Sequence, residues 1–394
     1  MFDFDELAGV NPLADEAALI ARISELERVK AAAAAGQARA AATLDAARRA
    51  REYADGVPAE KRGRGVACEV ALARRESPHR GNRHLGFAKA LVHEMPHTLA
   101  ALECGALSEW RATLIVKESA CLSVNDRRRL DAEIACDISA LDGVGDARIA
   151  AKAKAVAYRL DPQAVVDQAA RAPAERSVSI RPAPDAMTYV TALLPVAQGV
   201  SVYAALKRSA DTTFDDRSRS QIMADTMVER VIGQPADVPA PVAVNLLITD
   251  RSLLDDGDDS AVVTGYGPVP AAIGRRLVAA AAGDGRSKAT LRRLYTRSAT
   301  GALVAMESRS RRFPKGLAAF ITARDQTCRT PYCDAPIRHI DHAHPHHRGG
   351  KTSTVNGLGM CERCNYVKVA PGAGGAVDLY EHAVVRFVGG YRAA

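Results

Sequence analysis

Along roughly the first 170 residues, apolar positions recur with a helical period. A long helix is expected from Asn11-Pro12 to about Tyr53, with Leu19, Ile23 and Leu26 on one stripe and an alanine-rich middle. Its narrow apolar face suits pairing with another helix, so self-association through this element is expected. The basic stretch from Gly56 to Gly65, which contains Pro58, interrupts the pattern. Further helical segments follow at about 66–76, 80–94, 97–104, 108–120, 126–139, 146–158 and 162–171, with Asp126, Asp146 and Pro162 at helix starts.

The period then changes. Residues 177–181 read as a short strand, while 185–209 and 215–233 read as helices. Val242, Val244, Leu246 and Ile248 alternate with other residues, which predicts a strand ending at Asp250. The acidic run Asp255-Asp256-Gly257-Asp258-Asp259 lacks the ligand spacing of a calcium loop and reads as a solvated turn. A helix near 270–282 and short strands within 290–306 complete the middle. The expected fold class is mostly α with a mixed α/β middle segment and a small C-terminal module. The corresponding domains are 1–235, helical; 236–308, mixed; and 309–394, the C-terminal module.

With 394 residues and 47% hydrophobic content, the chain can build two or three cores. No uninterrupted apolar stretch is long enough to span a bilayer, and Met1-Phe2-Asp3-Phe4-Asp5 is acidic rather than signal-like. A cytoplasmic protein with no membrane partner is therefore expected. Charge adds a polyanion. Residues 309–368 hold eleven Lys or Arg against four Asp or Glu, a surplus of seven that equals the formal charge of the whole chain. Arg309, Arg311, Arg312, Lys315 and Arg324 lead into this region; Arg338, Arg348, Lys351, Arg363 and Lys368 lie within it. Arg311, Arg312, Arg338, Lys351 and Lys368 are the candidate phosphate contacts, and duplex DNA is the expected partner.

The same region contains Cys328-x4-Cys333 and Cys361-x2-Cys364, with 27 residues between the inner cysteines. Four thiolates in two close pairs can surround one tetrahedral Zn²⁺ and stabilise a unit too small to bury its own core. The intervening length suits a strand, a loop and the start of a helix. Cys68, Cys104, Cys121 and Cys136 are scattered without pairing rhythm, which argues against a disulfide framework. A second metal pattern, His93-Glu94-Met95-Pro96-His97, matches HExxH. Pro96 should stop the helix between the two histidines and destroy their alignment, so no protease site is expected there.

Between the cysteine pairs lie Arg338-His339-Ile340-Asp341-His342, Gly349-Gly350 and Asn356, and Asn365-x2-Lys368 follows. In order and spacing, residues 328–368 resemble the HNH, or ββα-metal, endonuclease motif. The resemblance implies a structural zinc on Cys328, Cys333, Cys361 and Cys364. It also implies Asp341 as ligand of a catalytic cation, His342 as general base, Asn356 as brace of the turn and Asn365 as second cation ligand. Two features depart from the commoner pattern: the closing residue is Asn365 rather than histidine, and the first cysteine pair is x4 with Pro331 inside it. A carboxylate with an amide oxygen suits Mg²⁺ or Mn²⁺.

These residues are the types that phosphodiester hydrolysis needs: a base titrating near neutrality, and a hard cation against the developing phosphorane charge. Adjacent strand residues point to opposite faces unless a bulge or metal loop re-aims one of them. His344 shares a face with His342 in extended backbone and is a candidate contact; His346 and His347 read as polar loop, and His339 as packing or bracing. A metal-dependent DNA endonuclease is the expectation, with a non-catalytic zinc-dependent DNA-binding protein and an RNA-directed nuclease as alternatives. Upstream, Glu69-Val70-Ala71-Leu72-Ala73, Ser77-Pro78, Pro96-x-Thr98-Leu99-Ala100-Ala101-Leu102 and Arg311-Arg312-Phe313 resemble the helical domain of unknown function that precedes HNH motifs in a large actinobacterial repeat family.

Overall fold

The computed structural model describes residues 4–235, 246–248, 250–254, 257–263, 266–283 and 311–368. Val242 and Val244 of the expected strand, Asp255-Asp256, the strands expected within 290–306, and Arg309 lie outside these residues.

Two helices, α1 (Phe4–Ala8) and α2 (Glu16–Ala54), open the chain. Asn11 does not start α2. Its side chain accepts from Leu13 N–H at 2.9 Å and closes a turn, whereas Asp15 accepts from Ala18 N–H at 2.8 Å and caps the helix. The expected stripe of α2 is not its buried face: Leu19 and Ile23 are exposed. The buried positions begin at Ala31 and continue through Ala34, Ala35, Ala38, Ala41 and Ala42. Alanine at these positions lets neighbouring helices approach closely.

The next helices are α3 (Val66–Ala73), α4 (Gly81–Glu94), α5 (Pro96–Glu103), α6 (Glu109–Glu118), α7 (Val124–Ala135), α8 (Asp146–Leu160) and α9 (Pro162–Arg171). Leu91, Met95, Leu102, Leu107, Ile115, Leu130, Ile134, Leu141 and Ile149 are fully buried and form the centre of one core. Helix α7 starts two residues before Asp126 because Ser123 is its cap, accepting from Asp126 N–H at 3.2 Å.

The break at Pro96 occurs as expected. Helix α4 ends at Glu94, Met95 leaves helical geometry at φ −131°, and α5 restarts on the proline. The HExxH residues have structural tasks. Buried Asp131 accepts the backbone N–H groups of His97 and Thr98, each at 2.8 Å, satisfying two donors at the start of α5. Glu94 pairs with Arg127, and the His93 carbonyl accepts from Arg128 at 3.2 Å.

The middle departs from its expected outline. Strand β1 (Ser177–Ala183) pairs antiparallel with β2 (Met187–Leu193), in a register running from Ser177 opposite Leu193 to Ala183 opposite Met187. Residues 187–193 were expected to be helical. They form a strand because Asp185 and Ala186 turn the chain at φ 59° and 60°, and because Thr188-Tyr189-Val190-Thr191 is β-branched or aromatic throughout. Helices α10 (Val196–Thr212) and α11 (Arg219–Ile232) follow. A capping box between Ser218 and Gln221 opens α11, and Gly233 at φ 76° closes it. After β3 (Leu246–Leu247) come α12 (Asp250–Leu254), β4 (Ala261–Val263), β5 (Gly267–Val269) and α13 (Ala271–Gly283). The strands form one antiparallel sheet in the order β3-β4-β5.

The C-terminal elements are α14 (Lys315–Asp325), β6 (His339–His342), β7 (Gly357–Met360) and α15 (Glu362–Lys368). β6 and β7 pair antiparallel, with His339 opposite Met360 and His342 opposite Gly357. Leu317, Phe320 and Ile321 of α14 form a small core, with Phe313 and Ile340 packed against it. The described chain is thus mostly helical with small antiparallel sheets. No helix among the described residues is long and apolar enough to cross a membrane.

Candidate metal centre and adjoining polar site

The two cysteine pairs meet. Cys328, Cys333, Cys361 and Cys364 are all buried, and their sulfurs lie within 4.8 Å of one another. The Cys333 and Cys364 sulfurs are 3.7 Å apart, far beyond the ~2.0 Å of a disulfide. A tetrahedron with Zn–S bonds of ~2.3 Å has edges of about 3.8 Å, so the four thiols fit one zinc ion. Among the described residues, no other group of three or more metal-capable side chains is drawn together.

Local backbone explains the convergence. Cys328 N–H donates to Ala335 O at 2.9 Å and Cys333 N–H to Thr330 O at 3.0 Å, which folds the x4 segment into a knuckle. Arg329 N–H donates to Gly359 O at 2.9 Å and Arg338 N–H to Met360 O at 2.8 Å, which docks that knuckle on β7. Cys361 leaves β7, and Cys364 lies in the first turn of α15.

A buried carboxylate joins α14 to the same strand. Asp325 accepts Gly359 N–H at 2.8 Å and forms a two-pronged pair with Arg324, at 2.7 and 2.9 Å. Arg324 also donates to the carbonyls of Thr354 and Gly357. This arginine, expected in the phosphate-facing lead-in, is committed to the fold. Arg311, Arg312, Arg338 and Lys351 are exposed, as phosphate contacts must be. Lys368 is not: at the end of α15 it is only 7% exposed, so this candidate phosphate contact is withdrawn from the surface.

Beside the thiols, β6 presents Asp341 and His342. His342 is buried, and its Nε2 lies 2.8 Å from Oγ1 of the buried Thr352. Its Nδ1 is 4.0 Å from Asp341 Oδ1, so the two neighbouring side chains converge instead of pointing to opposite faces. Phe313 packs against the imidazole with ring centres 4.6 Å apart, and His346 meets it edge-on at 5.4 Å. Gly357, opposite His342, makes this closure possible. A Cβ there would fall 2.4 Å from Ile321 Cδ1 and 2.8 Å from Phe313 Cε1.

Asn356 ties together the loop between the strands. Its Oδ1 accepts His344 N–H at 2.7 Å, and its Nδ2 donates to the carbonyls of His344 at 3.0 Å and Lys351 at 2.8 Å. Gly350 is required beside it, since a Cβ would lie 1.9 Å from His344 O. His344 has left β6 and its Nε2 sits 2.9 Å from Arg348 O, within the loop and not alongside His342. Asn365 is half-buried, one residue beyond Cys364 on α15. Sequence reasoning missed Thr352, Arg324 and Asp325 as supporting groups. A threonine in a polar loop and an Arg-Asp pair at a helix end carry no distinguishing pattern.

No curated protein and no solved structure matches the chain. One protein-family model matches, over residues 23–325, across the boundary expected near 235 and ending just before Cys328. Its span covers most of the 394 residues, and the chain therefore belongs to the family described as a domain of unknown function, DUF222.

Proposed function

We propose that the chain is a metal-dependent endonuclease of the HNH type that hydrolyses DNA phosphodiester bonds. The carrying observation is the convergence of His342 Nδ1 and Asp341 Oδ1, 4.0 Å apart, on a strand joined to a four-cysteine centre that fits zinc. Zinc held by Cys328, Cys333, Cys361 and Cys364 would fix β7 and α15, and with them the strand that carries the acting residues. His342 takes the proton of the attacking water; Thr352 on Nε2 holds the ring so that Nδ1 faces the Asp341 side. Asp341 and Asn365 supply a carboxylate and an amide oxygen, a donor set suited to Mg²⁺ or Mn²⁺ with water completing the shell. Such a cation, when bound, offsets the charge that develops on the phosphate and on the leaving oxygen. Asn356 braces the loop, and exposed Arg311, Arg312, Arg338 and Lys351 meet the phosphate backbone.

A zinc-dependent DNA-binding role without cleavage draws on a different observation. His342 is 6% exposed beneath Phe313, as a packing histidine would be. Incubating the purified protein with supercoiled plasmid, linear duplex, branched DNA and RNA, each with Mg²⁺ or Mn²⁺, separates these roles. Metal-dependent cutting of DNA is the expected result. Binding with no cutting under any condition supports the clamp, and cutting confined to RNA moves the activity to the other polymer.

A further inference from the structure

The charge of the helical body is unevenly placed. Residues 61–89 hold eight Lys or Arg against two Asp or Glu, whereas the rest of residues 1–170 holds sixteen against twenty-three. Both acids of the basic segment are already engaged. Glu69 pairs with Arg48 at 2.8 Å, and Glu76 lies 2.9 Å from His84 Nε2 and 3.1 Å from Arg80. Lys61, Arg64, Arg75 and Arg83 are exposed, and among the described residues they have no ion-pair partner.

The fold brings together the segments that carry these cations. Helix α3 has eight residues, about 12 Å of length, and Arg64 and Arg75 flank it. The start of α4 lies against the start of α3, so closely that a Cβ on Gly81 would fall 1.9 Å from Ala67 O. The backbone that carries Arg80 and Arg83 is thereby brought back beside the start of α3, next to the segment that carries Arg64. Arg62 adds a guanidinium stacked over Tyr53 at 4.7 Å.

We infer that this face of the DUF222 region, built by residues 61–83, is a binding surface for the phosphate backbone of a nucleic acid. Arginine prevails over lysine in it, which suits two-pronged recognition of phosphate. An anionic membrane is the weaker candidate. Stable attachment to lipid needs apolar side chains to enter the acyl boundary, and no large hydrophobic residue between Tyr53 and Trp110 is exposed. The surface does not depend on the cleavage chemistry: a chain that binds but does not cut leaves it standing.

The test is equilibrium binding by the full chain, without added Mg²⁺ or Mn²⁺, to a labelled duplex DNA, a single-stranded RNA and phosphatidylserine vesicles across a salt series. The triple variant Lys61→Gln, Arg64→Gln, Arg83→Gln is compared with a charge-matched control, Lys117→Gln, Lys152→Gln, Lys154→Gln. Each lost contact with duplex should flatten the slope of log affinity against log salt by about 0.9, so the first variant should lose roughly two to three in slope and the control less than one. Affinity should fall about tenfold or more near 0.1 M salt, and Arg64→Lys with Arg83→Lys should restore most of the slope. Whichever polymer shows the larger loss is the source of the backbone. Equal slopes for the two triple variants would overturn the inference, as would loss confined to vesicles or a parent chain with no salt-dependent nucleic-acid binding.

Discussion

Thr352 has a specific supporting task, since it is buried and its Oγ1 lies 2.8 Å from Nε2 at the edge of the imidazole ring. Thr352→Val should lower the cleavage rate at saturating DNA by about tenfold or more with little change in KM, while Thr352→Ser keeps most of it; single-turnover kinetics on the three proteins would check this. Asp325 is a stability residue. Asp325→Ala leaves Arg324 and Gly359 N–H without their carboxylate, so the C-terminal module should lose about 3 kcal/mol, read from denaturant melts. In the helical body, burial pushes the Glu76 carboxyl up, but hydrogen bonds from His84 and Arg80 outweigh it and hold the pKa down to about 2, from 4.5. A depressed carboxylate stabilises the fold above its unfolded pKa. Stability should therefore decline as pH falls from about 4.5 towards 2, and Glu76→Gln should reduce that decline in acid titrations followed by circular dichroism. At this scale the four cysteines are legible in the sequence, because ligand spacing is local. Burial of Lys368 and commitment of Arg324 to Asp325 are not, because both depend on contacts between elements.

At the scale of elements, the four thiols tie the x4 knuckle, β7 and α15 to one point. Replacing any of Cys328, Cys333, Cys361 or Cys364 by serine should release zinc and unfold the C-terminal module, yet leave α2 to α9 melting as before, because metal binding and folding are coupled in units this small. Elemental analysis and far-ultraviolet circular dichroism would show it; parent protein lacking tightly bound zinc would contradict the assignment. Helices α3 to α9 are legible because each carries its own punctuation, such as Pro96 at the start of α5 and Pro162 at that of α9. Strand β2 is not, since a short segment such as Met187–Leu193 also fits two turns of a helix. What decides it is the left-handed pair Asp185-Ala186, whose backbone angles the sequence does not announce. The caps at Asp15 and Ser123 were misplaced for a related reason: Asn11 and Asp126 are equally good acceptors, and only geometry selects between them.

For the whole molecule, positive charge is concentrated at 61–89, within the DUF222 region, and at 309–368, which overlaps the end of that region, while the rest of the chain carries the balancing acids. Exchanging Arg311, Arg312, Arg338 and Lys351 for glutamine should weaken binding across unrelated DNA sequences and flatten the salt slope by roughly three to four, as contacts that position without specifying would. Cleavage remains the central claim, and nicking of supercoiled plasmid by the parent chain and by His342→Ala, under matched Mg²⁺ and salt, tests it most directly. The parent should nick; the variant should be slower by about 10²- to 10⁴-fold while keeping its zinc and its DNA affinity. Nicking by His342→Ala at the parent rate would contradict the account.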